Sequence, residues 1–226
     1  MSPARYAIYF APKAGTPLAE FGARWLNPRD RGEALLDLAL QRRITATARR
    51  YGFHATLKAP FRLAEDRTPA ELQEALAHFA ANQSVPAAPP LALRQLSGFL
   101  ALVPSAAAPE LAVLAQACVE AFEPFRAPPA EAELARRRAA GLTPRQDANL
   151  LSWGYPYVAE DFRFHMTLTQ RLAGEELSRV ESALAPAVAP LCQDPLGIDA
   201  LALFRQDGPE ESFELVKRTP LAVQFV

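Results

Sequence analysis

The chain has 226 residues, half of them hydrophobic and 22% charged, with a formal net charge of −1. That balance fits a soluble globular protein able to bury a core, and it offers no bulk positive field to hold long nucleic acid by counterion release. No uninterrupted apolar run is long enough to span a membrane, and Arg5 with two tyrosines interrupts the first ten residues where a secretory leader needs an apolar stretch.

Arg5 to Ala11 is aromatic and partly alternating and predicts a first strand. Pro12, Gly15 and Pro17 break it, and Thr16 before Pro17 predicts a capped helix running through Leu18, Phe21 and Trp25. Apolar residues at helical spacing predict a helix over Glu33 to Leu40. Gln41 to Arg50 is basic, with Arg42, Arg43, Arg49 and Arg50, and leads into a strand around Phe53 to Leu57 that Pro60 should close. Thr68-Pro69-Ala70-Glu71 predicts another capped helix, with Leu72, Leu76 and Phe79 as its apolar stripe. Leu91 to Leu96 and Phe99 to Val103 predict two strands turning near Ser97-Gly98. Pro109 opens a helix through Leu111, Leu114, Cys118 and Phe122. Residues 127–150, with the basic cluster Arg136 to Arg138, read as a short helix and a surface excursion that ends in a turn carrying Trp153, Tyr155 and Tyr157. A helix over Glu175 to Val188 follows, then strands at Ile198 to Arg205 and Ser212 to Arg218 around Asp207-Gly208, and a last strand within Leu221 to Val226. Cys118 and Cys192 have neither metal-site nor disulfide spacing, and free thiols suit a reducing, cytoplasmic setting.

One pattern occurs twice. Phe53-His54-Ala55-Thr56-Leu57 and Phe164-His165-Met166-Thr167-Leu168 hold two of the three histidines. Side chains alternate along a strand, so His54, Thr56 and Lys58 should share one face. Arg163, His165, Thr167, Thr169 and Arg171 should share another. The intervening residues are apolar and would enter a core. Each copy is followed by a helix and a hairpin; 44 residues separate His54 from Gly98 and 43 separate His165 from Gly208. That agreement predicts an internal duplication, with repeats near residues 51–125 and 161–218 in a single two-lobed domain, 1–226, and the two histidine strands at the lobe junction.

Two imidazoles facing one cleft can divide the roles of general base and general acid. Threonine hydroxyls can donate to phosphate oxygens, and Lys58, Arg163 and Arg171 would add positive charge to the pocket. Tyr6 or Tyr155 could line it. The chemistry this favours is phosphoryl transfer or phosphodiester hydrolysis on a small phosphorylated substrate, with no metal and no cofactor. His78 lacks a matching partner and reads as structural or exposed. The arginine clusters read as solvated faces or as guides for a phosphate-bearing substrate.

The paired His-x-Thr-Leu stretches resemble the two-histidine (2H) phosphoesterase superfamily. The stretches RYAIYFAP, RYGFHATLKAPF and FRFHMTLTQRL are similar to the branch encoded beside bacterial phosphonate-utilisation genes. The resemblance implies a duplicated α+β fold with two antiparallel sheets lining a central cleft and helices outside. It implies hydrolysis of a cyclic phosphate or related phosphodiester, with His54 and His165 catalytic and Thr56 and Thr167 binding phosphate. The rival reading is a non-catalytic module that binds or senses a phosphorylated small ligand.

Overall fold

The computed structural model describes residues 3–30, 32, 34–139 and 141–222. Its strands are β1 (Arg5–Phe10), β2 (Ala55–Arg62), β3 (Leu91–Leu96), β4 (Phe99–Pro104), β5 (Met166–Thr167), β6 (Ala200–Gln206) and β7 (Glu214–Pro220). They form one seven-stranded sheet in the order β3-β4-β5-β2-β1-β6-β7, every neighbouring pair antiparallel. The expected antiparallel α+β architecture is present, but the two expected sheets are one. Ala55 of β2 pairs with Met166 of β5, and that pairing fuses the halves. Left apart, both strands would expose unpaired backbone groups in the middle of the molecule.

The connections are crossed. The hairpin β3–β4 follows the His54 strand in sequence but pairs, through β4, with the His165 strand. The hairpin β6–β7 follows the His165 strand but pairs with β1, beside the His54 strand. The β3–β4 turn uses Ser97 and Gly98, both at positive φ, as a tight two-residue turn requires.

Helices α1 (Pro17–Leu26), α2 (Leu38–Ile44), α3 (Ala46–Arg49), α4 (Pro69–Ala81), α5 (Pro109–Ala121), α6 (Glu131–Arg138), α7 (Pro144–Trp153) and α8 (Gly174–Val188) complete the fold. Thr16 caps α1, and Thr68 with Glu71 closes a reciprocal capping box on α4. Thr143 and Gln146 do the same on α7. The helix expected over 33–40 starts later, at Leu38. Asp37 accepts hydrogen bonds from Ala39 N and Leu40 N, 3.1 Å each, and Gln41 Oε1 accepts from Leu35 N at 2.8 Å, which holds the preceding segment out of the helix. Glu33 lies outside the described residues, as does most of the strand expected within 221–226. Pro60 does not close β2, which runs on to Arg62 through two register shifts against β1. Among the described residues no helix is long and apolar enough to cross a membrane.

One face of the sheet carries Tyr6, Ile8, Phe10, Ala55, Leu57, Leu102, Met166 and Leu203, packed with Leu72 and Leu76 of α4, Leu111 and Leu114 of α5, and Val180 and Leu184 of α8. On the other face the described residues form a small cluster, Ala7, Tyr9, Ala202, Phe204 and Phe213. The rest of that face is open, and residues of the 127–161 excursion border it.

Gly22 of α1 is where the core sets the position of the first histidine stretch. A Cβ there would overlap the Phe53 ring, and Phe53 precedes His54. Gly22→Ala gains about 1 kcal/mol of helix propensity but forces that ring aside, a strain of about 1–3 kcal/mol. A net loss of stability in urea denaturation is expected; a gain would mean that Phe53 moves without cost.

Candidate active site

Ala55 and Met166 are fully buried in the main core. Alternation therefore turns His54, Thr56, His165 and Thr167 to the opposite, open face. Extending the antiparallel register from Ala55–Met166 sets His54 opposite Thr167 and Thr56 opposite His165. The two histidines then lie on the diagonal, where Cβ atoms are about 7–8 Å apart. Each imidazole faces the hydroxyl residue of the other strand.

Both rings are oriented by the same device. His54 Nδ1 is 2.9 Å from the Gly52 carbonyl and His165 Nδ1 is 2.7 Å from the Arg163 carbonyl, in each case two residues earlier. A carbonyl can only accept, so each Nδ1 carries the proton and each Nε2 is left for the cleft. At His54 the Thr56 hydroxyl lies 3.3 Å from Nε2 and can donate to it. Gly52 sits at φ 75°, a left-handed geometry that a glycine adopts without strain.

The surroundings of the two rings differ. Tyr9 stacks on His54, centroids 3.8 Å apart and planes 25° apart, and Tyr51 stands behind at 6.3 Å. Among the described residues, the ring that meets His165 is the tilted ring of Phe99, at 5.8 Å. Burial pushes the His54 imidazole down to about 4; the Gly52 carbonyl opposes the shift and the charge of His165 adds to it. Burial also raises the Tyr9 and Tyr155 phenols.

The open face forms a cleft with two compartments that share Thr56, Ala59 and Tyr155. The first, about 470 Å³, is lined by His54, Thr167, Tyr9, Tyr51, Arg5 and Arg136, among others. The second, about 580 Å³, is lined by His165, Arg163, Arg171, Phe99, Tyr157 and others. Both are of small-molecule size. The cleft thus brings together His54, Thr56, His165, Thr167, Arg163, Arg171 and Tyr155.

Three residues expected at the pocket are placed differently. Lys58 is on the core side, 3% exposed, with Nζ donating to the Val119 carbonyl at 2.8 Å and to Glu123 Oε2 at 3.1 Å. The cause is a bulge. Ile8 pairs with Lys58 but Tyr9 with Thr56, so one step on β1 is matched by two on β2 and the alternation reverses at Leu57. Burial lowers the Lys58 pKa, with Glu123 opposing. Tyr6 is buried in the main core; Tyr9, of opposite parity, takes the cleft position. Thr169 borders the first compartment, but its hydroxyl accepts from Leu100 N at 3.0 Å and the residue is 1% exposed. The N–H groups of Leu168 and Thr169 both reach the Leu100 carbonyl, so regular alternation has already ended there.

Sequence reasoning missed Tyr9, Tyr51 and Arg5 as cleft residues; Arg136 and Arg137, which it offered as solvated or as substrate guides, line the first compartment. β1 is covered on both faces, so its run of apolar and aromatic residues gave no contrast to choose Tyr9 over Tyr6. Arg136 and Arg137 belong to a basic cluster whose position depends on how the 127–161 excursion folds. Among the described residues no group of three or more His, Cys, Asp or Glu side chains could hold a metal ion.

A family model described as a protein of unknown function (DUF1045) matches residues 56–214. A protein of Janthinobacterium sp. (strain Marseille) named ribose 1,5-bisphosphate phosphokinase PhnN is 40% identical over 235 aligned positions, covering 97% of this chain and 51% of that protein. One with the same name from Laribacter hongkongensis (strain HLHK9) is 35% identical over 220 positions, covering 94% of this chain and 51% of its own length. The chain spans about half the length of these curated relatives. The crystal structure of E. coli LigT complexed with NADP+ superposes with a TM-score of 0.47 and 15% identity, over 98% of this chain and 99% of that one.

The depressed His54 pKa has a consequence for stability. As pH falls, the unfolded chain takes up this proton near 6.5 and the folded chain only near 4. The contribution of neutral His54 is fully present above 6.5 and is lost as pH falls towards 4. The urea midpoint of the wild type should therefore drop more over that window than that of His54→Gln. Equal acid sensitivity would show that the ring protonates in place at no cost.

Proposed function

The chain belongs to the DUF1045 family, and from that premise we propose that it is a metal-independent phosphoesterase of the 2H type. It would hydrolyse a cyclic phosphate or related phosphodiester of a small molecule. The observation that carries this reading is the pair of imidazoles at the starts of adjacent central strands, one residue before β2 and one before β5, each fixed through Nδ1 to a carbonyl two residues back and each bordering the same cleft.

The roles follow from the asymmetry of the site. His54, desolvated under Tyr9, is neutral at physiological pH and is the general base. Its Nε2 takes a proton from a water attacking phosphorus. As the new P–O bond forms, the ester P–O bond opposite breaks, and His165, which enters the cycle as the imidazolium with Nδ1–H held by the Arg163 carbonyl, gives its Nε2 proton to the departing oxygen. One turnover leaves His54 protonated and His165 neutral, and proton exchange with solvent restores them. The Thr56 hydroxyl, 3.3 Å from His54 Nε2, donates to one phosphate oxygen of the bound substrate, and Thr167 holds another. Arg163 and Arg171 in the second compartment balance the negative charge of the phosphoryl group.

The names of the relatives fit a small phosphorylated sugar as ligand and a setting in phosphonate utilisation. The kinase activity in those names has no evident seat in this chain, whose sequence lacks the G-x-x-x-x-G-K-[ST] run of a P-loop.

The test is turnover of a panel of cyclic phosphates in EDTA. Wild-type activity should survive chelation. His54→Ala and His165→Ala should each lower kcat by about 10²–10⁴-fold. With His54 as base, the acid limb of kcat/KM should fall near 4. Tight binding of phosphorylated sugars with no turnover of any panel member would favour a sensing module instead.

A further inference from the structure

The cleft does not end at the histidines. Arg5 and Arg136, with Tyr51 and Pro60, line the first compartment and also a third hollow beyond it, where Arg50 and Arg62 join them. Register fixes the direction. Tyr9 of β1 pairs with Thr56 beside the catalytic pair, whereas Arg5 pairs with Arg62 four residues further along. At strand rise that is about 13 Å. An arginine side chain reaches back over part of this distance, which leaves a gap on the scale of one sugar ring, walled by Tyr51 and Tyr155.

The charge state of these arginines is informative. Arg5 donates through Nε and Nη2 to the neutral Gln206 side chain, at 2.8 Å for Nε. Arg62 donates to the Pro128 carbonyl at 2.8 Å. Arg136 has no hydrogen bond or ion pair among the described residues and is exposed on α6. Carboxylates do border the hollow, but Glu133 lies 3.6 Å from Arg137 and Glu210 lies 3.7 Å from Arg50. Among the described residues Arg5, Arg62 and Arg136 are therefore positioned without a carboxylate partner, in a protein whose net charge is −1. Arginines held by neutral acceptors keep their full attraction for an incoming anion.

We propose that the Arg5–Arg62–Arg136 end of the cleft is a second anion subsite, so that the substrate is a small sugar carrying a phosphate monoester in addition to the phosphodiester presented to His54 and His165. The substrate class rests on the phosphoesterase reading; the subsite itself does not. The second anion fixes the ring in the cleft, and its binding energy orients the scissile group.

The experiment compares ribose 1,5-bisphosphate with ribose 5-phosphate by calorimetry on the wild type, Arg136→Gln and Arg5→Gln, alongside turnover of adenosine 2′,3′-cyclic phosphate with and without a 5′-phosphate. The bisphosphate should bind wild type roughly tenfold more tightly or better. Either substitution should bring it down to the level of the monophosphate. Any 5′-phosphate preference in kcat/KM should vanish in the same variants. Equal affinity for the two ribose phosphates, or a preference that both variants retain, overturns the subsite. A bisphosphate preference erased by Arg136→Gln, with no cyclic phosphate hydrolysed by wild type, upholds the subsite and counts against the hydrolytic reading alone.

Discussion

The backbone pairing of Ala55 with Met166 is the contact on which the cleft depends. It is a short ladder, because β5 is only two residues long. Its strength comes from what surrounds it. Met166 and Thr167 also pair with Leu102 and Ala101 of β4. Beyond them the Leu168 carbonyl accepts from Trp25 Nε1 at 2.7 Å, and Gln170 N donates to the Ile44 carbonyl at 2.7 Å. The second histidine strand is thus clamped between β4, α1 and the end of α2. Thr169, whose hydroxyl serves Leu100 N, is part of that clamp.

Much of this was readable from residues. The repeated Phe-His-x-Thr-Leu stretch marks the two central strands because alternation makes its apolar positions core and its polar positions cleft. Thr16, Thr68 and Pro109 mark helix starts because each meets the chemistry of an N-terminus. Where the reading failed, it failed at breaks of period. The bulge at Leu57 carried Lys58 through the sheet to Glu123, and no local sequence signal announces it. Tyr6 and Tyr9 differ only in parity on a strand buried on both faces. The joining of the sheets is decided by strands more than 100 residues apart in sequence, and pattern reading has no access to that pairing.

The near-symmetry of the two copies conceals an asymmetry in their environments. Both imidazoles are anchored alike through Nδ1, yet only His54 lies under a tyrosine stacked at 3.8 Å. Desolvation there is the largest influence on its protonation. A residue outside the repeat, Tyr9, therefore distinguishes two groups that the repeat itself presents as equivalent.

The crossed connectivity also bears on how the molecule is made. β4 leaves the ribosome long before the strand it must pair with, and β1 and β2 each keep a bare edge until β6 and β5 follow. For most of synthesis the nascent chain carries three unsatisfied strand borders on a hydrophobic sheet, the kind of surface that recruits chaperones or sticks to its neighbours. A fragment that stops before residue 166 would hold one complete histidine stretch and the capped helices α1, α2, α4 and α7, but no ladder to close its centre.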